Sequence, residues 1–141
     1  MSNVASVTKK VESILNKEFN GFIVAPNGWM QIPYETTNVS ISCHDFSGST
    51  VVRVTGIINS NCKFKKEIYE WIAKKNLDLV FGSIIHTDVS GGGNLTAIQC
   101  NILGDSLDSD ELMTAISCAA TVANDLDEEF QANFGGKRFV D

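Results

Sequence analysis

Few residues in this chain have the chemistry of a nucleophile, an acid or a base. Ser106 lies in residues 104–107, whose sequence is Gly-Asp-Ser-Leu, and the chain has two histidines, His44 and His86. A serine hydroxyl becomes a useful nucleophile only when a base such as histidine is held within hydrogen-bond reach. Both histidines precede the serine, and their spacing pairs neither of them with it.

The same four residues spell the nucleophile block of the GDSL esterases. In that family the serine follows the first strand of the domain, and an Asp-x-x-His pair near the end supplies the base. Here Ser106 comes late, no histidine follows it, and a length of 141 residues is short for that fold. We expect a loop leading into the last helix, and a serine esterase is only a distant alternative.

Metal and phosphate sites are not indicated either. The glycine run at 91–93 lacks the Gly-Lys-Ser/Thr of a phosphate loop, and we expect it to form a turn. The cysteines form no Cys-x-x-Cys pair and stand at no ligand spacing from a histidine. The four cysteines are Cys43, Cys62, Cys100 and Cys118. We expect reduced cysteines in the core, no metal and no cofactor.

Length and composition favour one ordinary globular domain over residues 1–141. Hydrophobic residues make up 43% and charged residues 20%, which separates the chain from disordered and membrane-spanning proteins. The first ten residues lack the apolar centre of a signal peptide, and no later apolar run is long enough to cross a bilayer. We therefore expect a cytoplasmic protein.

The charge is negative and unevenly placed. The net charge is −6, and between Lys75 and Lys137 there is no Lys or Arg, while Asp and Glu occur ten times. Binding to phosphates depends on clustered Lys and Arg, so we expect no nucleic-acid partner and no membrane partner.

Hydrophobic periodicity predicts the order helix, three strands, helix, two strands, helix. The long last helix has the clearest pattern, with Asp108 as its cap, Glu111 completing a capping box, and Gly135 after its end. Hairpin-length connections between the strands imply a mainly antiparallel, five-stranded sheet with helices packed against it, which is an α+β fold. The predicted helices are 4–19, 64–76 and about 109–134, and the predicted strands are 29–34, 39–44, 50–58, 79–85 and 95–103.

The strand predicted at 79–85 has apolar side chains on both faces. Leu79, Phe81 and Ile85 would point one way, and Val80 and Ile84 the other. We therefore expect a helix, a second subunit or a bound segment to cover the second face of the sheet.

The aromatic residues fall into two groups. Phe19, Phe81 and Phe130 have the pattern of core residues. The aromatic residues at element edges or in loops are Trp29, Tyr34, Phe46, Tyr69 and Trp71. Because exposed aromatic side chains anchor peptides, we expect Trp29, Tyr34 and Trp71 to bind a peptide. In the alternative interpretation, Trp29 and Trp71 simply close the ends of the core.

Four segments, together with the order of elements, resemble the YbjN-like branch of the type III secretion chaperone-like superfamily. They are residues 28–29 (Gly-Trp), 31–34 (Gln-Ile-Pro-Tyr), 101–105 (Asn-Ile-Leu-Gly-Asp) and 134–139 (Phe-Gly-Gly-Lys-Arg-Phe). The resemblance covers nearly the whole chain. It implies a compact α+β fold, often dimeric, that holds an extended or partly unfolded segment of a partner protein, and it transfers no active site.

Three functional classes follow, in order of preference. A non-catalytic, chaperone-like protein that binds a partner polypeptide comes first, and its acidic surface would favour basic clients. A self-associating structural or regulatory module, such as a homodimer without a client, comes second. The serine esterase comes third.

Overall fold

A computed structural model describes residues 3–140 of the chain. Within that range the protein has three helices and six strands. They are α1 (Val4–Glu18), β1 (Ile23–Val24), β2 (Met30–Tyr34), β3 (Thr37–Phe46), β4 (Ser49–Ser60), α2 (Glu67–Leu77), β5 (Ser83–Asp88), β6 (Asn94–Leu103) and α3 (Ser109–Phe134).

The strands form one antiparallel sheet in the order β1-β2-β3-β4-β6-β5. The predicted α+β class and antiparallel pairing are confirmed, but the prediction of five strands is wrong, because β1 adds a sixth. This strand has only two exposed residues, Ile23 and Val24, and is too short for an alternating pattern. The turn after it aligns it with β2, since Ala25 N–H donates to the carbonyl oxygen of Trp29 at 2.9 Å.

All three helices pack on one face of the sheet, and the strand pattern explains why. In β4 the residues Val52, Val54 and Ile58 are fully buried, at alternate positions that share one face. Gly56, on the same face, lets α3 approach closely, because a Cβ there would lie 2.5 Å from the carbonyl oxygen of Ala119. The centre of the core is therefore the contact between β4 and α3.

The helix ends follow local capping rules. The α1 helix begins after Asn3, which exchanges capping hydrogen bonds with Ser6. The α3 helix begins after Asp108, whose Oδ1 accepts from the backbone N–H of Glu111 at 2.8 Å. The predicted Asp108 cap is confirmed, although in the described chain only this half of the expected capping box is present. Gly135, with φ of 71°, ends α3 as predicted.

The opposite face of the sheet carries no helix within residues 3–140. Its central positions are small and polar, such as Ser40 and Ser42 in β3, and the sheet itself buries them. Half-buried Ile57 and Ile85 also lie on this face, and Phe46 and Leu103 are exposed at one end of it. We call this surface the open face of the sheet.

The strand predicted at 79–85 begins four positions later, at Ser83. Leu79 packs against the core from outside the sheet, while Val80 and Phe81 are exposed. The predicted alternation across two faces is therefore wrong for residues 79–82, and Phe81 is not a core residue.

Candidate functional site

The strand β6 has two halves with different neighbours. On one side it pairs with β4 from Leu95 to Leu103. On its other side it pairs with β5 only from Asn94 to Gln99. Among the described residues, positions 100–103 therefore have a strand on one side only, and we call them the free half of β6. Unpaired strand edges are places where another extended chain can add.

The outward-facing backbone groups of the free half belong to Asn101 and Leu103. Beyond the end of β6, Gly104 N–H donates to the carbonyl oxygen of Thr50 next to it in β4, at 2.7 Å. Backbone groups of successive strand residues face alternate sides, so those of Ile102 also face β4. Those of Asn101 and Leu103 face the side that β5 leaves open.

The turn at Gly82 creates this opening. Its φ of +76° lies in the region that favours glycine. A Cβ there would lie 2.7 Å from both the Cys100 Sγ and the carbonyl oxygen of Gln99. The pairing of β5 begins at the next residue, Ser83, so the chain before Gly82 leaves the sheet and exposes the free half.

A cavity of about 430 Å³ lies between this departing segment, the free half of β6 and the first turns of α3. The departing segment reaches α3, because the Phe81 carbonyl oxygen accepts a hydrogen bond from the Cys118 thiol at 3.7 Å. The cavity is lined by Phe81, Gly82, Cys100, Asn101, Ile102, Asp110, Glu111, Thr114 and Ala115. This volume is in the range of ligand-binding pockets. We call the cavity and the free half together the β6 groove.

Large apolar side chains are exposed around the groove. Phe81 in its wall is 56% exposed, Val80 beside it is 86% exposed, and Leu103 at the end of the free half is 57% exposed. Apolar side chains clustered around an unpaired strand edge are characteristic of an interaction site.

The two sides of the groove differ in charge. On the helix side, the carboxylates of Asp110 and Glu111 line the cavity in the first turn of α3. On the open face, the Arg53 Nε donates to the Asn101 Oδ1 at 3.0 Å. A ligand therefore meets negative charge beside the helix and a guanidinium beside the sheet.

The thiols near the groove are suited to packing and not to covalent chemistry. Burial, with a contribution from the neighbouring Cys118, raises the pKa of Cys100 to about 11. The thiolate is the nucleophilic form, so Cys100 is almost entirely unreactive at neutral pH. All four cysteines are free thiols; Cys62 and Cys100 are buried, and Cys43 and Cys118 are half-buried.

Trp29 and Tyr34 lie toward the opposite edge of the sheet from the groove, at β2. Trp29 directly precedes β2 and contacts His44 on the open face, with ring centroids 6.0 Å apart. Tyr34, at the end of β2, is 42% exposed and pairs with Thr37. Because β2 is separated from β6 by β3 and β4, these residues are roughly 14 Å or more from the free half. Their peptide-binding role stays a prediction.

Trp71 is held by contacts within the protein. Its ring packs edge-on against Phe130, at 5.2 Å between centroids, and against Phe134. Its indole Nε1 donates to Glu129 at 2.6 Å, and Lys75 lies over the ring while also pairing with Glu129. These contacts match the alternative interpretation, in which Trp71 closes one end of the core. Its role in peptide binding stays a prediction, and no described contact joins it to Trp29 or Tyr34.

The histidines are engaged with strand hydroxyl groups. His44 Nε2 lies 2.7 Å from the Ser42 Oγ, and His86 Nδ1 lies 2.8 Å from the Thr96 Oγ1. Ser106 lies in the loop between β6 and α3, as predicted, and no hydrogen bond described for residues 3–140 joins it to a histidine. No group of three or more metal-binding side chains occurs in the same range.

A second cleft lies at the other end of β5, and exposed aromatic residues line it. Phe64 contacts Tyr69 and His86, with ring centroids 5.5 and 6.3 Å apart. The cleft has a volume of about 480 Å³, and polar residues of β5 together with Asn94 of β6 line the rest of it. Phe64 is 56% exposed, the same fraction as Phe81.

Sequence reasoning missed the groove because it placed Phe81 in a strand. The signal that could have revealed it is Gly82, which interrupts a run of apolar residues directly before the pairing of β5 begins at Ser83. A glycine inside an apparent strand often marks such an interruption.

Comparisons with known proteins give a family and a fold. Residues 3–141 match the sequence model of a family described as the T3SS (YopN, CesT) and YbjN peptide-binding chaperone 1. A search of curated proteins finds no match. Among solved structures, a chain of the "Structure of the HopA1-SchA Chaperone-Effector Complex" is similar at 13% identity and a TM-score of 0.62. The similarity covers 91% of this chain and 99% of that chain. No helix among the described residues is long and apolar enough to span a membrane.

Proposed function

The chain belongs to the family of type III secretion and YbjN peptide-binding chaperones, as its sequence predicted, and we propose that it holds an extended segment of a partner polypeptide in the β6 groove. The observation that carries this proposal is the free half of β6, where Asn101 and Leu103 present outward-facing backbone groups beside an apolar cavity. Main-chain hydrogen bonds would give affinity, and the cavity would select side chains.

The protein acts in this proposal by binding alone. Both histidines are hydrogen-bonded to strand hydroxyl groups and not to Ser106. The thiol that lines the groove is Cys100, and its pKa is raised to about 11. These features favour a site that holds a chain without cleaving or modifying it.

The binding site can be tested with two matched phenylalanine variants. The probe is an array of ten-residue peptides of random sequence, and the variants are Phe81→Ala and Phe64→Ala. Both side chains are exposed to the same fraction, but only Phe81 lines the groove. We expect Phe81→Ala to weaken peptide binding by roughly tenfold, as expected for an apolar anchor at an interface, and Phe64→Ala to have little effect.

The same array tests the prediction from sequence. If Trp29→Ala or Trp71→Ala removes binding while Phe81→Ala keeps it, the peptide lies at the aromatic residues and not in the groove. If Phe64→Ala and Phe81→Ala weaken peptide binding equally, the loss is not specific to the groove. That result would contradict our proposal.

A second candidate function is self-association through the open face of the sheet. It is favoured by the exposed Phe46 and Leu103 at the end of that face, which a second copy would cover. Sedimentation of the wild-type protein and of Phe46→Glu measures it. A dimer that Phe46→Glu converts to a monomer would support a homodimer, whereas a wild-type monomer at high concentration would exclude this role.

We also propose that the protein works in the reducing environment of the cytoplasm. Support comes from its four free thiols, two of which are buried. Such thiols persist where glutathione and thioredoxin keep cysteines reduced. Alkylation of intact cells followed by mass spectrometry would show four modified cysteines after denaturation if this is so, and disulfides if it is not.

A further inference from the structure

The second cleft, between the start of α2 and the end of β5, has the size and lining of a small-molecule site. Its volume of about 480 Å³ lies within the range of ligand pockets. It is lined by Phe64, Tyr69, His86, Thr87, Asp88 and Asn94. Strand addition at the β6 groove uses none of these residues, so a ligand in the second cleft would be independent of the proposed function.

Two asparagine side chains hold the walls of this cleft in place. Asn94, at the start of β6, accepts from the backbone N–H of Cys62 and donates to its carbonyl oxygen, both at 3.0 Å. Asn76, near the end of α2, makes the same pair of bonds to the backbone of Ile84 in β5, at 2.7 and 3.3 Å. The segment before α2 and α2 itself are therefore both tied to the sheet. Walls that are fixed in this way lose little conformational freedom when a ligand binds.

Three aromatic rings meet in the cleft. The centroid of Phe64 lies 5.5 Å from that of Tyr69 and 6.3 Å from that of His86, and the last two are 6.5 Å apart. The planes are inclined to one another at 64°, 35° and 79°, so the rings do not stack flat on one another. A point about 4 Å above the centre of this triangle lies about 5 Å from all three centroids, within the roughly 6 Å reach of a cation–π interaction. One cation could therefore contact all three rings.

The charge at the cleft favours a cation. Among the lining residues in the described part of the chain, only Asp88 has a side chain that is fully charged at neutral pH. Burial lowers the pKa of His86, although the Asp88 carboxylate opposes the shift, so the imidazole is neutral at pH 7 and does not repel a cation. Lys63, Lys65 and Lys66 precede α2 nearby, but they are exposed to solvent and do not line the cleft. A positively charged ligand therefore meets one attractive charge at the wall.

The hydrogen-bonding groups of the cleft narrow the choice of cation. The side-chain amide of Asn94 is occupied by Cys62, and the His86 Nδ1 lies 2.8 Å from the Thr96 Oγ1. A primary ammonium such as that of lysine is strongly hydrated and needs acceptors for three N–H groups. A quaternary ammonium has no N–H group, and its methyl groups suit aromatic walls. The second kind of cation is therefore the better fit.

We propose that the second cleft binds a small, free quaternary ammonium molecule, whose methyl groups contact Phe64, Tyr69 and His86 and whose charge faces Asp88. The rings provide the affinity, and the carboxylate selects positive charge. The volume of the cleft is larger than a trimethylammonium group needs, so it accommodates a whole molecule of this class and not only the end of a modified side chain.

Four small probes at constant ionic strength test the ligand class on the wild-type protein. Choline carries the quaternary ammonium, its neutral analogue has carbon in place of the nitrogen, ethanolamine has a primary ammonium, and N-acetyl-trimethyllysine amide represents a modified protein. Binding is followed by the aromatic proton resonances of Phe64, Tyr69 and His86. We expect choline to bind with millimolar affinity, about tenfold more tightly than the neutral analogue or ethanolamine.

Matched variants assign the effect to the rings and to the charge. Phe64→Leu keeps an apolar side chain but removes the ring, so it should weaken choline binding about threefold and leave the neutral analogue unchanged. Asp88→Asn removes the carboxylate and should weaken choline binding about threefold at low salt. Asp45→Asn is its control, because Asp45 is also exposed but lies in β3, more than a Debye length from β5.

The outcomes separate cation binding from peptide binding. Choline affinity should be unchanged in Phe81→Ala, and peptide affinity should be unchanged in Phe64→Ala, so the failure of one site leaves the other standing. Equal binding of choline and its neutral analogue, or no shift of the ring resonances at about 50 mM choline, would overturn the cation site. An equal effect of Asp88→Asn and Asp45→Asn would overturn the role of Asp88.

The remaining two probes decide the kind of cation. Equal or tighter binding of ethanolamine would overturn the preference for a quaternary ammonium. Tighter binding of the trimethyllysine probe than of choline would overturn the assignment to a free molecule, because the cleft would then recognise a modified protein side chain.

Discussion

The two halves of β6 build opposite kinds of surface from one continuous strand. Residues 94–99 have a strand on each side, β4 and β5, and α3 covers their inner face. Residues 100–103 keep the β4 pairing but lose β5. The first half therefore has both of its edges paired, while within residues 3–140 the second half has no strand on its outer edge and ends at the exposed Leu103.

The difference shows how one fold can be both stable and able to bind. The pairing with β4 fixes the position of the whole strand, so the free half is held rigid without a partner on its outer side. A preorganised edge loses little conformational freedom when a peptide adds to it, which favours affinity. The following changes break or sharpen this contrast.

Proline at successive positions of the free half should have opposite consequences. In Ile102→Pro the lost N–H faces β4, and the ring would collide with that strand, so we expect a loss of unfolding free energy of about 3 kcal/mol or more. In Asn101→Pro the lost N–H faces outward, so we expect a stability change of about 1 kcal/mol or less but no peptide binding. Urea unfolding measures the first effect and peptide titration the second.

Asn101→Ala is the control for these variants, because it removes the side chain and its bond to Arg53 but keeps the backbone N–H. It should retain peptide binding. If Asn101→Pro destabilises the protein as much as Ile102→Pro does, the backbone of Asn101 is paired within the fold, and the free edge does not exist.

A methyl group at Gly56 tests the closely packed region. Its Cβ would lie 2.5 Å from the carbonyl oxygen of Ala119 and 3.1 Å from the Cβ of Ala123, so α3 would have to move. We expect Gly56→Ala to lower the free energy of unfolding by about 2 kcal/mol. Thr55→Ala, at the next position on the open face, should cost about 1 kcal/mol or less. Equal, small effects of the two variants would show that α3 does not depend on the close approach at Gly56.

The sequence predicted the packed region much better than the groove. Alternation in β3 and β4, the stripe of α3 and the Asp108 cap each follow from a local pattern, and the structure has all of them. The groove depends on where β5 begins. That point is set by the left-handed turn at Gly82 and by its contact with Cys100, a residue distant from it in sequence. Hydrophobic periodicity carries no information about such a contact.

The aromatic residues show the same limit. Exposure was predicted from position at the edge of an element, which holds for Tyr34 at 42% and Phe46 at 66%. It does not hold for Trp71, which is half-buried with its ring packed between α2 and α3, and the predicted core position is wrong for Phe81, which the departing segment leaves exposed. Only the path of the chain after α2 separates these two residues.

The smallest effect that we expect comes from pH, and it should act on the fold and not on the groove. Burial lowers the pKa of His86 below its usual 6.5, and burial together with Arg53 does the same for His44. The unfolded chain then binds more protons than the folded one just below pH 6.5. This contribution to stability is complete above that pH and is lost as the pH falls through the lowered values. Urea unfolding between pH 7.5 and 5 should show a small decline, and His86→Gln should reduce it. His86 lies within β5 and lines the second cleft, not the groove, so His86→Gln should leave peptide affinity unchanged at each pH. A changed affinity would mean that the two ends of β5 are coupled.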